Sequence, residues 1–124
     1  MAGWTNDELK RIGGAEEVET EVLGRDRQMR PPVTIWLVRV DDDLYVRSVR
    51  GGRGAWFRAV QETHEGRISA GGVEKDVRFE EGEPSVNDKV DAAYRVKYRR
   101  YAGRILDSCL TPAARSTTQR VVAR

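Results

Sequence analysis

Residues 33–40 read VTIWLVRV, and this most apolar run of the chain constrains the fold more than any other segment. Side chains of a β-strand alternate between its two faces. Both faces of this strand are apolar, because Val33, Ile35 and Leu37 share one face and Trp36, Val38 and Val40 share the other. Such a strand must be covered on both sides. In a chain of 124 residues the second cover is either a local helix or another subunit, and the latter predicts a homodimer.

The remaining strand patterns occur mostly in hairpins. Residues 17–23 (EVETEVL) alternate polar and apolar side chains, as a one-faced strand does. Residues 41–43 predict a tight turn from the apolar strand into a strand over residues 44–49. Residues 66–73 and 74–79 predict a second hairpin that turns at Gly71-Gly72. Residues 117–123 predict a closing strand.

Helices are predicted between these strands. Thr5 and Glu8 match a capping box, which begins a short helix over residues 6–12. A second helix starts at residue 55, and Thr111-Pro112 begins a single turn. Residues 87–104 predict the longest helix, on which a row of residues recurs at helical spacing: Val90, Tyr94, Tyr98, Tyr101 and Ile105. We expect the tyrosines to pack on the sheet rather than to bind nucleic acid together with the basic residues beside them.

Hairpins with helices between them differ from the βαβ pattern of a parallel sheet. The length fits one domain, so residues 1–124 are predicted to form a single antiparallel barrel, mainly β with flanking helices (α+β). No apolar run approaches the length of a membrane span, and the first residues lack the basic and apolar regions of a signal peptide. We therefore expect a cytoplasmic protein.

Composition excludes several kinds of site. Cys109 is the only cysteine and His64 the only histidine, so an internal disulfide, a cysteine-based zinc site and a histidine-rich metal site cannot form. We expect Cys109 to be a small buried apolar residue. His64 precedes Gly66 at a predicted helix end, where we expect it to be a partly exposed capping residue.

The junction between the strand at residue 44 and the helix at residue 55 has an unusual composition. Residues 47–54 (RSVRGGRG) contain three arginines, three glycines and one serine. A helix N-terminus presents unpaired N–H groups and a partial positive charge, and glycines let backbone amides approach a ligand. The junction predicts a phosphate site with two kinds of contact, hydrogen bonds from Ser48, Gly51 and Gly52 and charge from Arg50 and Arg53. The alternative is a flexible loop with solvated arginines.

Two further residues belong to this predicted site. Trp56 would line a pocket for a planar ring. Arg47 is the other residue, and strand alternation puts it on the face opposite Ser48. Of the two, Ser48 is therefore the first choice for a ligand contact and Arg47 the second.

Three segments carry a resemblance to a known family: residues 32–60 (PVTIWLVRVDDDLYVRSVRGGRGAWFRAV), 65–79 (EGRISAGGVEKDVRF) and 91–101 (DAAYRVKYRRY). They closely resemble the bacterial domain-of-unknown-function 2255 family, a name that carries no function. More distantly, the chain resembles the flavin- and deazaflavin-binding split barrels, which include pyridoxamine-phosphate-oxidase-like proteins and deazaflavin-dependent nitroreductases. The matching positions are Ser48, Gly51-Gly52 and Trp56-Phe57. The basic loop at residues 24–30 also has a counterpart in these proteins, which implies that Arg30 reaches in to the phosphate.

The wider resemblance implies a six-stranded antiparallel split β-barrel that forms a homodimer. It also implies that FMN or a deazaflavin binds with its phosphate at the glycine- and arginine-rich loops and its ring in a cleft, and that the protein is an oxidoreductase. The alternative is a non-enzymatic barrel that binds a phosphorylated ligand or nucleic acid, the latter being disfavoured.

Overall fold

The computed structural model describes residues 3–124, in which seven strands form one antiparallel sheet. The strands are β1 (Val18–Val22), β2 (Val33–Ile35), β3 (Leu37–Val40), β4 (Asp43–Val46), β5 (Glu65–Ala70), β6 (Val73–Glu81) and β7 (Gln119–Ala123). Their order is β2-β1-β5-β6-β7-β4-β3. The two outer strands of this order, β2 and β3, are separated in the chain by Trp36 alone. The sheet therefore curls until its edges meet, as a nearly closed split barrel.

The predicted fold class is confirmed, with seven strands in place of six. The difference arises because the apolar run at residues 33–40 is divided at Trp36 into β2 and β3. The two halves pair with different neighbours, since Val33 lies opposite Thr20 of β1 and Leu37 lies opposite Val46 of β4. One predicted strand thus supplies both edges of the barrel.

Within residues 3–124, five α-helices lie on the barrel: α1 (Asn6–Gly14), α2 (Ala55–Thr63), α3 (Asn87–Lys97), α4 (Arg104–Asp107) and α5 (Pro112–Arg115). The capping box is confirmed, because the Thr5 side chain accepts from the Glu8 amide while the Glu8 side chain accepts from the Thr5 amide. The hairpin turn at Gly71-Gly72 is also confirmed. His64 ends α2 in the left-handed conformation, with φ at 59°, and is exposed as expected.

The prediction of one helix over residues 87–104 was wrong at its C-terminal end. α3 ends at Lys97, and a 3₁₀ turn (Arg99–Tyr101) leads to Gly103, whose φ of 110° is open only to glycine. The chain changes direction at this glycine. Ile105 therefore leaves the face that carries the tyrosines and is 59% exposed.

The barrel encloses one apolar core, and a second lies outside it beneath α3. The outer cluster contains Val38, Tyr45, Val90, Tyr94, Tyr98, Leu106 and Cys109. Trp36 packs against it, with its ring stacked on Tyr98 at a centroid distance of 3.9 Å. Tyr94 and Tyr98 thus pack on the sheet and Cys109 is buried, as predicted.

This outer cluster explains the strand that is apolar on both faces. Leu37 faces the barrel core, whereas Val38 faces α3. The second cover is therefore the local helix, one of the two alternatives that the sequence left open. The homodimer remains a prediction. Across residues 3–124, no helix has both the length and the apolar character needed to cross a bilayer.

Candidate functional site

A cleft of about 500 Å³ opens between the β2–β3 junction and the N-terminus of α2. Its walls are largely apolar, formed by Val33, Ile35, Trp36, Val49, Trp56 and Ile105. Val33, Val49 and Ile105 are 40%, 52% and 59% exposed, which leaves apolar surface open to solvent around the cleft. A cavity of this size, with apolar walls and a few polar groups, is typical of a small-molecule site.

Ser48 supplies a hydroxyl to this cleft. It follows β4 by two residues and is 1% exposed. The backbone of Ser48 is fixed on both sides, because its N–H donates to Thr117 Oγ1 at 2.9 Å and its carbonyl accepts from the Gly51 N–H at 2.9 Å. Among residues 3–124, no side chain or backbone group hydrogen-bonds the Ser48 hydroxyl. The hydroxyl is therefore available to a ligand.

Gly54 brings the start of α2 against this serine. A Cβ at Gly54 would lie 2.2 Å from Ser48 Oγ, so only glycine permits the approach. Gly54 is the N-cap of α2, and no side chain caps the helix. The first N–H groups of α2, with their partial positive charge, consequently lie next to a free hydroxyl. This combination suits an anionic oxygen.

The other glycines of the junction shape the turn. Gly51 has a φ of 66°, and a Cβ there would meet Ala113 Cβ at 3.0 Å. Its N–H is already bonded to Ser48, while its carbonyl accepts from the Gly54 N–H at 3.1 Å. Gly52 and Arg53 are exposed, and like Gly51 they are not part of the cleft wall.

Arg47 points away from Ser48, as strand alternation predicted, and its guanidinium is fully buried. A guanidinium has five N–H donors, and each has an acceptor within the protein. Nε donates to Thr118 Oγ1 at 2.9 Å. Nη1 donates to Asp91 Oδ1 at 2.5 Å and to the Cys109 carbonyl at 2.9 Å. Nη2 donates to the carbonyl and Oδ1 of Asn87 at 3.1 and 3.2 Å.

Asp91 is the residue that sequence reasoning missed. Its second carboxylate oxygen accepts from Arg115 Nη1 at 2.7 Å, so one buried carboxylate lies between two arginines. The sequence carried a signal, because Asp91 is three residues before Tyr94 and seven before Tyr98, on the apolar face of the predicted helix. A lone aspartate on such a face requires a buried cationic partner.

Trp56 stands between the cleft and a smaller cavity of about 380 Å³. Arg30 lines this second cavity and not the cleft. The cleft wall thus contains Arg47, Ser48, Arg50 and Trp56. The N–H donors of Arg47 are all used within the protein. The structure places Arg30 on the far side of Trp56.

Two titratable groups in the cleft are held in their neutral forms. Burial raises the pKa of the Tyr94 hydroxyl and of the Cys109 thiol above their ordinary values. Both side chains line the cleft, and at neutral pH both are protonated. The wall accordingly offers hydrogen bonds, apolar contacts, the positive charge of Arg50 and the carboxylate of Glu17. Arg50 is two residues from Ser48, so the positive charge lies near the group that suits an anionic oxygen.

Comparison with known proteins identifies the family. A family model described as "Uncharacterized protein conserved in bacteria", domain of unknown function 2255, matches residues 8–121. The chain belongs to this family. No curated protein matches the chain.

Several solved structures share the fold. A FAD-binding protein from Mesorhizobium loti has a TM-score of 0.61 at 16% identity, over 98% of this chain and 91% of that one. An F420 reductase has a TM-score of 0.54 at 15% identity, over 94% and 90%. A putative 5-nitroimidazole antibiotic resistance protein from Bacteroides thetaiotaomicron has a TM-score of 0.53 at 14% identity, over 96% and 80%. At these identities the likeness establishes the fold.

Proposed function

We propose that this member of the domain-of-unknown-function 2255 family binds a flavin or deazaflavin cofactor, FMN or a deazaflavin of similar size, in the cleft, and that it acts as an oxidoreductase. The observation that carries the proposal is the unpaired hydroxyl of Ser48, which lines the cleft beside the uncapped N-terminus of α2. Solved structures of this fold include a FAD-binding protein and an F420 reductase. Their cofactors support the choice of ligand class.

The donor set fits the phosphate end of such a cofactor. The Ser48 hydroxyl donates one hydrogen bond to a phosphate oxygen, and the first N–H groups of α2 present further donors. Arg50, which is exposed and lines the cleft, neutralises part of the charge. Arg30 and Arg53 stand outside the cleft wall, so they contribute positive potential rather than direct contacts.

The apolar walls fit the ring system. Val33, Val49 and Ile105 expose apolar surface that a bound ring would remove from water. Trp56 presents an aromatic side chain along the same cleft. When bound, the cofactor supplies the redox chemistry, and the protein's contribution is to hold it, orient it and exclude water.

Arg47 acts as a positioning residue in this proposal. Its five donors are used within the protein, so none is left for a ligand. The bonds tie the end of β4 to the first turns of α3 through Asn87 and Asp91. They fix the backbone of the next residue, Ser48, at the base of the cleft.

Titration of FMN and a deazaflavin into the purified protein, followed by visible absorbance and ligand fluorescence, tests the proposal. Ser48→Ala and Arg50→Ala should each weaken binding by roughly ten- to a hundredfold, the effect of losing one charge-assisted hydrogen bond. Arg58→Ala is the matched control, because Arg58 is an exposed arginine of α2 outside the cleft wall. Equal affinities for the three variants and the wild type would refute the site.

The alternative is a non-enzymatic barrel that binds a phosphorylated ligand or nucleic acid. It predicts no affinity for either ring system, with binding to nucleic acid that falls steeply as salt increases. The first outcome is read from the titrations above, and the second from a titration with nucleic acid at increasing salt concentration.

We also propose that the protein forms a homodimer in the cytoplasm. The exposed apolar side chains around the cleft, Val33, Val49 and Ile105, are surface that a second copy would cover together with the cofactor. Light scattering coupled to size exclusion should give twice the chain mass of 14.0 kDa. A monomeric mass with and without FMN would rule the dimer out.

A further inference from the structure

The smaller cavity behind Trp56 has the features of a binding site of its own. It measures about 380 Å³ and is bounded by β1, the prolines before β2 and the first turns of α2. Its lining residues are Thr20, Val22, Arg30, Pro31, Pro32, Val33, Ala55, Trp56 and Ala59. Most of these are apolar, and Arg30 is the only charged residue in the set.

Thr20 gives the first indication of a ligand. It points into the barrel from β1 and is 1% exposed. Its Oγ1 is buried and has no hydrogen-bond partner within residues 3–124. A buried hydroxyl without a partner is unfavourable and uncommon in native proteins. A ligand in the adjoining cavity would supply the missing partner.

Arg30 gives the second indication. Its backbone N–H donates to the Val22 carbonyl at 2.8 Å, which anchors the residue beside β1. Its guanidinium packs over Gly24, where a Cβ would lie 2.6 Å from Nη2. Arg30 Nη1 forms a loose ion pair with Asp26 Oδ2 at 3.8 Å, too long for a hydrogen bond, and the Arg30 side chain is 48% exposed. The N–H donors of its guanidinium are therefore available to an anion.

The remaining walls favour a flat, apolar molecule. Trp56 and the two prolines offer planar surfaces on which an aromatic ring can stack, and Val22 and Ala59 add aliphatic contacts. We propose that this cavity binds a small aromatic carboxylate. The carboxylate pairs with Arg30, the ring packs on Trp56, and a polar ring substituent hydrogen-bonds Thr20.

The cavity shares Val33, Ala55 and Trp56 with the cleft, so its ligand lies beside whatever the cleft holds. With the proposed redox cofactor in the cleft, this aromatic acid would be its substrate, an assignment that rests on the proposed function. The binding of the aromatic acid itself does not rest on it, because Thr20 and Arg30 both lie outside the cleft wall.

Calorimetric titration of the purified full chain, without added flavin, tests the proposal with three probes: benzoate, 4-hydroxybenzoate and benzyl alcohol. Benzoate should bind about tenfold more tightly than benzyl alcohol, because only benzoate carries a charge for Arg30. 4-Hydroxybenzoate should bind about fivefold more tightly than benzoate, because it also bonds Thr20.

Two variants assign these preferences to residues. Thr20→Val keeps the shape and removes the unpaired hydroxyl, so it should raise the melting temperature by about 3–6 °C and abolish the preference for 4-hydroxybenzoate. Arg30→Met should abolish the preference for benzoate over benzyl alcohol. Arg25→Met is its control, since Arg25 is an exposed arginine of the same loop that does not line the cavity.

Absence of saturable binding by all three probes would overturn the inference. So would a Thr20→Val variant with unchanged melting temperature and unchanged preferences, because the hydroxyl would then be satisfied by water. If benzoate binds and FMN does not, the proposed function fails and this site stands. If FMN binds and no aromatic acid does, the proposed function stands and this second site fails.

Discussion

Replacing Asp91 with asparagine removes the negative charge between Arg47 and Arg115 while keeping the size of the side chain. Asp91 is 6% exposed at its side chain and Arg47 is fully buried. Removing one partner of a buried ion pair leaves the other charge uncompensated, which costs about 3–5 kcal/mol. Arg47 would retain its bonds to Asn87, Cys109 and Thr118, all of them to neutral oxygens. We therefore expect the lower end, a loss of about 3 kcal/mol.

Urea denaturation followed by circular dichroism measures this loss. With an m-value of about 1.5 kcal/mol/M, a loss of about 3 kcal/mol lowers the midpoint by about 2 M urea. Asp88→Asn is the matched control on the same helix. Asp88 also bonds Arg115, at 3.0 Å, but its side chain is 91% exposed. An exposed pair contributes less than about 1 kcal/mol, so this variant should unfold close to the wild type.

Similar losses in the two variants would refute the reasoning, because burial would then have no bearing on the strength of the pair. A normal midpoint for Asp91→Asn, with weakened FMN binding, would also contradict it. The Arg47 network would in that case serve the cleft without stabilising the fold.

Two further predictions follow from single residues. Burial lowers the pKa of Lys97 from 10.5 to about 8, so the unfolded chain binds the extra proton between these values. The contribution of this group to the free energy of unfolding therefore rises as pH increases from about 8 to 10.5. Urea midpoints measured across this pH range should lose that rise in Lys97→Met and keep it in the control Lys89→Met, because Lys89 is exposed. Equal pH profiles for the two variants would contradict the prediction. Gly54→Ala should displace the Ser48 hydroxyl and reduce both stability and cofactor affinity, since its Cβ would lie 2.2 Å from Ser48 Oγ. Gly52→Ala, which meets nothing within 4 Å, should behave as wild type in both assays.

The features that sequence reasoning predicted well are local. The capping box at Thr5 and the hairpin at Gly71-Gly72 depend on residues close in the chain, and both are confirmed. The break at Trp36 is different, because the alternation over residues 33–40 continues through it. Its cause is long-range, since the two halves pair with strands at opposite ends of the sheet order. Periodicity carries no information on such pairing.

In the candidate site, too, the local features were predictable from the sequence and the long-range contacts were not. Strand alternation was enough to separate the roles of two residues that both line the cleft. The Ser48 hydroxyl is left for a ligand, whereas the Arg47 guanidinium points to α3 and bonds Asp91. The partner of Arg47 is 44 residues away in the chain, so it became apparent only in the fold. The fixed carbonyl and amide bonds of Gly51 likewise depend on a turn geometry that the composition of residues 47–54 does not specify.

A crystal structure of the protein grown with FMN or a deazaflavin tests the central claim most directly. The account predicts a cofactor whose ring lies in the cleft along Trp56 and whose phosphate oxygens lie about 3 Å from Ser48 Oγ and the first N–H groups of α2. A cofactor bound elsewhere, or a cleft that stays filled with water at saturating cofactor, would contradict it.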